Sequence, residues 1–138
     1  MQQGITTLEV RTRRGLTDVT GRLREIVSAH KIQTGLCTVF IRHTSASLVI
    51  QENADPSAQR DLERFLDRLV PDGDPLYEHT TEGDDDMPSH VKSALTHTSE
   101  QIPIKDGELV LGTWQGLYVW EHRDAPHRRE LVVHVIGE

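Results

Sequence analysis

The sequence predicts an α+β domain with a two-layer, mostly antiparallel β-sandwich-like core and two or three flanking helices. Three observations carry that prediction. The last third reads as short strands in succession joined by turn signals, while helical periodicity is confined to stretches following Leu16, Asp55 and Pro88. Those helices are inserted between the early strands instead of alternating with strands throughout, which argues against βαβ units. No repeat at a fixed period is visible, and 138 residues suit one domain spanning 1–138.

Taken in order, Ile5 to Thr12 mixes β-branched and apolar residues in near alternation and reads as the opening strand, ended by Gly15. From Leu16 the period changes. Thr17 or Asp18 can cap a helix that places Val19, Leu23, Ile26 and Val27 on one face, with a loop around Gly35 after it. Leu36 to Arg42 and Ser47 to Glu52 are β-rich runs, either neighbouring strands or one bent strand. Asp55-Pro56 starts the clearest helix, since Asp caps well and Pro suits the first helical position. Its stripe is Ala58, Leu62, Phe65, Leu66 and Leu69, and Pro71 closes it. Asp72 to Asp86 lacks apolar periodicity and is long for an idle connection, so it reads as a functional loop. Pro88 supports a short helix over Ser89 to Thr96, with His90, Ala94 and His97 near one face. Gln101 to Lys105, Asp106-Gly107 and Glu108 to Gly112 form a hairpin with a two-residue turn, and Gly116 to His122 and Glu130 to Ile136 complete the strands.

Composition narrows the function classes. A formal net charge of −7 argues against non-specific nucleic-acid binding, which needs clustered cations on a surface free of competing carboxylates. The lone cysteine, Cys37, cannot form an intrachain disulfide, which points to the cytoplasm. No apolar run approaches the roughly 20 residues of a membrane span, and the N-terminal residues lack a signal peptide's hydrophobic segment, so neither membrane nor export is expected.

Three of the eight histidines stand beside loop residues and other polar groups: His43 in HTSAS, His79 in YEH, and His90 after the acidic run. Three neutral imidazoles would hold a metal and leave a position open for water or substrate. Their spacing fits no local metal motif, and each alone is more simply a hydrogen-bonded structural histidine. Glu82, Asp84, Asp85 and Asp86 crowd four carboxylates into five positions, suited to a cation or to a solvated loop with Asp86 capping the next helix. Asp55 is read as a cap, whereas Glu52 ends a strand and can project into a site. In Gly112-Thr113-Trp114-Gln115-Gly116 the glycines allow close backbone approach, Trp114 can stack on a flat ring and Gln115 can hydrogen-bond it. A hairpin turn with a buried Trp is the structural alternative. Arg123, Arg128 and Arg129 either receive phosphate bidentately or form a solvated basic loop. Ser45, Ser47 and Cys37 lack the setting of a catalytic nucleophile.

Together, HTSASLVIQENADP, YEHTTEGDDDMPSHVKSAL, LGTWQGLYVWEHR and the closing GE resemble the YjbQ family, also called the secondary thiamine-phosphate synthase family. The resemblance runs nearly end to end, strongest from Gly35 to Arg123. It implies a homotrimer and a weak thiamine-phosphate synthase activity on small phosphorylated metabolites. Carried residue by residue, it implies catalytic roles for Glu52, Lys92, Glu121 and Arg123, and substrate contacts from Thr44, Ser45, Asn53, Thr113, Trp114 and Gln115. His43, His79 and His90 are the expected metal ligands. The expected cofactor is a divalent metal: Zn²⁺ first, or Mg²⁺ or Ca²⁺ if carboxylates rather than rings point inward. The competing reading, from a different class, is a metal- or phosphometabolite-binding protein without turnover.

Overall fold

A computed structural model describes residues 1–138. Its elements are β1 (Gln2–Thr12), β2 (Gly15–Asp18), α1 (Thr20–His30), β3 (Thr34–Ile41), β4 (Ala46–Glu52) and α2 (Pro56–Leu69), then α3 (Asp86–Leu95), β5 (Ser99–Lys105), β6 (Glu108–Leu109), β7 (Gln115–Glu121) and β8 (His127–Gly137). Two sheets form, one of five strands in the order β1-β8-β3-β5-β6 and one of three in the order β2-β7-β4. Every ladder is antiparallel, as the expected fold class requires. Alternate residues of β3 and β8 (Cys37, Val39, Ile41; Leu131, Val133, Val135) turn inward to meet Leu48, Leu117 and Val119 of the smaller sheet. From α1, Leu23 and Val27 enter the same core.

Local chemistry explains the elements that the sequence predicts well. Asp55 caps α2 by accepting the Ser57 N–H at 2.9 Å, with Pro56 at the first helical position. Asp106 and Gly107 both have positive φ, 53° and 80°, the geometry of the two-residue hairpin turn joining β5 to β6.

Other expectations need correction. The segment after Gly15 is not yet helix: β2 pairs with β7 first, and Asp18 then accepts the Thr20 N–H at 2.9 Å as α1 begins. Gly35 lies inside β3, not in a loop; a Cβ there would stand 2.1 Å from the Ile136 carbonyl oxygen, so close approach to β8 demands glycine. The runs on either side of His43 are neither neighbours nor one bent strand, because β3 and β4 belong to different sheets. The short helix α3 starts at Asp86, two residues before Pro88. Of the α2 stripe only Leu66 is buried, and Phe65 and Leu69 remain 56% and 58% exposed. No helix is long and apolar enough to cross a membrane.

Candidate metal centre

The ladder between β4 and β7 organises the polar motifs. Its register pairs Ala46 with Glu121 at one end and Glu52 with Gln115 at the other. At about 3.3 Å per residue, the two ends are about 20 Å apart. The candidate residues therefore divide into two groups within the chain.

At the Glu121 end, α3 is fastened by its small polar residues. Ser89 Oγ donates to the His122 carbonyl at 2.8 Å, and Ser93 Oγ donates to the Ala46 carbonyl at 3.2 Å. This presents the first turn of α3 to the acidic loop. Asp86, 2% exposed, lies with one carboxylate oxygen, Oδ2, 2.7 Å from His79 Nε2 and 3.4 Å from His90 Nε2. Its other oxygen accepts from Arg123 Nη1 at 2.9 Å. Burial pushes the Asp86 carboxyl up, but the His79 hydrogen bond and the Arg123 charge outweigh it and hold the group below the ordinary carboxylate range. The ligand atoms of His79, Asp86 and His90 all lie within 4.8 Å of one another.

The tautomer of His90 is informative. Its Nδ1 lies 2.9 Å from the Thr44 carbonyl oxygen, which can only accept, so the proton sits on Nδ1. In the neutral ring, Nε2 then turns a lone pair toward Asp86. A proton or a cation between them removes that repulsion. Tetrahedral Zn²⁺ with bonds of about 2.0–2.1 Å sets its ligands about 3.4 Å apart; the His90–Asp86 pair already has that spacing, the His79–Asp86 pair at 2.7 Å would open, and the two imidazole nitrogens lie within 4.8 Å of each other. Two imidazoles favour Zn²⁺ over Mg²⁺ or Ca²⁺.

His43 does not join this set within the chain. Its Nε2 accepts the Glu130 N–H at 2.8 Å and its Nδ1 faces Arg129 Nη1 at 3.4 Å, so the lone pair a metal would need is spent on the backbone. Burial and Arg129 push its pKa down. Thr44 contributes the carbonyl that orients His90, and Ser45 Oγ accepts from Arg129 Nη2 at 3.0 Å. Arg123 is committed to the acidic loop: Nε donates to Asp85 at 2.9 Å and Nη2 to the Glu82 carbonyl at 2.9 Å. Glu121, fully buried, accepts from Thr12 Oγ1 at 2.5 Å, from Arg129 Nε at 2.7 Å and from the Arg123 N–H at 3.1 Å. Burial raises its pKa, and Arg129 and Thr12 reverse that and lower it.

Lys92, 1% exposed, donates to Asp67 at 2.6 Å, and Asp67 also accepts from Arg14 at 3.1 Å. Together with His122 these three line a separate cavity of about 260 Å³. His122 hydrogen-bonds Ser47 at 2.9 Å, and burial pushes its pKa down to about 3.

At the other end the motif residues mostly hold their own turn. Glu52 accepts the N–H groups of Ala54 and Asp55 at 2.7 and 2.8 Å. Asn53 donates to the Thr113 and Gln115 carbonyls at 3.3 and 3.2 Å, and Gln115 accepts the Gly112 N–H at 2.8 Å. Trp114, 63% exposed, projects freely and is not the buried Trp of the structural alternative.

Sequence reasoning counted Asp86 among four acidic residues suited to a cation or to a cap without setting it beside His79 and His90, and it did not find Arg129 as the partner of Glu121. For Asp86 a signal existed: Asp86 and His90 stand four apart on one helix, a spacing that puts them on one face. Nothing in the sequence near Glu121 announces Arg129, which reaches it across the gap between β7 and β8.

The model of the family described as UPF0047 protein YjbQ-like matches residues 5–138. A UPF0047 protein of Synechocystis is 56% identical over 125 residues, covering 91% of this chain and 85% of that protein. The UPF0047 protein YjbQ of Escherichia coli O157:H7 is 42% identical over 116 residues, covering 84% and 83% of the two chains. Among solved structures, an uncharacterised conserved protein of the YjbQ/UPF0047 family from Clostridium acetobutylicum superposes with a TM-score of 0.85 at 36% identity, covering 95% and 99% of the two chains.

Proposed function

Since the chain belongs to the UPF0047 YjbQ-like family, we propose that it is a divalent-metal protein acting on a small phosphorylated metabolite, with thiamine-phosphate synthase-like transfer as the reaction to test. The observation that carries the metal part is the convergence of His79, Asp86 and His90, with His90 Nε2 3.4 Å from a buried carboxylate oxygen. The synthase part comes from the resemblance of the motifs.

In that reaction the bond between the pyrimidine methylene and its diphosphate oxygen breaks, and the electron pair leaves on diphosphate. The thiazole nitrogen supplies the pair for the new C–N bond. Positive charge near the leaving diphosphate is the main requirement, and a bound Zn²⁺ supplies it. His79, Asp86 and His90 hold the ion, and Thr44 orients His90 through its carbonyl. Arg123 positions Asp86 and is a positioning residue in this scheme, because its three donating nitrogens already have acceptors in the chain. Lys92 and Glu121 likewise act through Asp67 and Arg129. Glu52, Asn53, Thr113, Trp114 and Gln115 serve a neighbouring subunit of a homotrimer, in which Trp114 of one copy closes the metal end of the next. Their place at the far end of the β4–β7 ladder, about 20 Å from Glu121, and the exposure of Trp114, support this arrangement.

The test measures metal content and diphosphate release from hydroxymethylpyrimidine diphosphate plus thiazole phosphate on the same samples of the chain and His90→Ala. Both quantities fall together if the reading is right. Full synthase activity in metal-free His90→Ala removes the metal from the reaction. Stoichiometric metal without any diphosphate release leaves the binding protein without turnover. Light scattering that shows a monomer at micromolar concentration removes the shared site.

A further inference from the structure

β1 ends at Thr12 in the larger sheet and β2 begins at Gly15 in the smaller one, so Arg13 and Arg14 make the whole crossing between layers. Above this crossing opens a cleft of about 640 Å³ whose walls include Arg11, Arg13, Arg14, Leu16, Glu63 and Pro126. Its charges are unevenly paired. Arg14 is taken up by Asp67, Asp72 and Asp124. Glu63, the only carboxylate in the cleft, accepts the Leu16 N–H at 3.3 Å. Arg11 and Arg13 are exposed, and neither forms an ion pair, although the protein carries a net charge of −7. The register of β1 on β8 sets Arg11 directly opposite Arg128, whose nearest carboxylate, Glu9, is 3.9 Å away. Like charges directly opposite in a ladder destabilise it unless a counter-charge lies close.

We propose that this cleft is a metal-independent anion site for the phosphate or diphosphate group of a small molecule, distinct from the centre at His79, Asp86 and His90. Arg11 and Arg13 receive the anion through the paired N–H donors of their guanidinium groups, which match phosphate oxygens two at a time. Arg14, fixed by its three carboxylates, holds the backbone of the crossing in place. The bound anion also relieves the opposition of Arg11 and Arg128. The site goes beyond the metal reading and does not require it.

Inorganic diphosphate titrated into the full chain by calorimetry, with EDTA present throughout, tests the proposal. Saturable binding is expected, weakened about tenfold by Arg13→Gln and further by Arg11→Gln with Arg13→Gln, since one charge-assisted contact is worth about that factor. His90→Ala binds as the unaltered chain does. Both arginines are exposed, so the variants keep the melting temperature of the unaltered chain. Absence of binding, or binding unchanged in the double variant, overturns the site. Binding that is absent in EDTA, appears only when Zn²⁺ replaces the EDTA and is lost in His90→Ala assigns the anion to the metal centre and overturns it equally. Sedimentation with phosphatidylglycerol vesicles, without competition from diphosphate, assigns the arginines to a membrane headgroup and does the same.

Discussion

The two ends of the β4–β7 ladder carry motif residues of similar type, yet they use them differently. At the Glu121 end the carboxylates are buried and satisfied by neighbouring donors: Glu121 with Arg129 and Thr12, Asp86 with Arg123 and the imidazoles of an exposed His79 and a half-buried His90. At the Glu52 end the same kinds of side chain are exposed or only half-buried and bond the backbone of their own turn. A buried charge commits its partner, so loss of either member leaves an uncompensated ion, whereas an exposed one is replaced by water. One end is thus a fixed electrostatic framework and the other a shaped surface.

The largest test of that contrast removes one charge at each end. Glu121→Gln strands Arg129 and should cost about 3–5 kcal/mol in urea unfolding. Glu52→Ala should cost no more than about 1 kcal/mol, the worth of a lost cap. Equal costs would abolish the distinction. Next, Arg123→Ala should weaken Zn²⁺ binding about 10- to 100-fold in a chelator competition, the usual effect of removing a group that orients a ligand. Gln115→Ala should leave that affinity unchanged.

Acid should act on the buried end first. His122 is neutral in the folded chain because burial holds its pKa at about 3, while the unfolded chain protonates it near about 6.5. Between those values the unfolded state binds more protons, so stability is lost as pH falls through that window. Asp86 and Glu121, both held below the ordinary carboxylate range, add their losses at lower pH. Melting temperatures from pH 7.5 to 5 should decline in the unaltered chain and less steeply in His122→Gln. The smallest expected effect is on Trp114→Ala, which should change monomer stability by under about 0.5 kcal/mol because the ring is exposed. The same variant should reduce the trimer fraction in light scattering.

How far the sequence was readable follows the range of each interaction. Asp55-Pro56 and Asp106-Gly107 act within a few residues, and the helix and hairpin they specify are where local rules place them. Gly35 was misread because the reason for it, the approach of Ile136, comes from a strand about a hundred positions away. β2 was missed because four residues carry too little pattern, and its partner β7 supplies the pairing. At the candidate metal centre, His79 and His90 were legible as types, and Asp86 was hidden behind its plausible use as a cap. His43 looked equivalent to the other two until Glu130 claimed its ring nitrogen. Lys92 and Arg129 acquire partners only through tertiary packing.

The ladder of β1 on β8 runs without a break from Gln2 against Gly137 to Thr12 against His127. During synthesis β1 leaves the ribosome before all the other elements of this fold, and its hydrogen-bonding partner β8 after them. Until then neither edge of the β1 backbone is paired, and β3 lacks the neighbour that joins it to β1. The larger sheet therefore closes only after translation of β8, by contacts of extreme sequence separation, which belong to the slow, millisecond-to-second regime of folding. A nascent chain halted before His127 should be open to proteases along β1, and release of the eleven residues of β8 should abolish that sensitivity in one cooperative step.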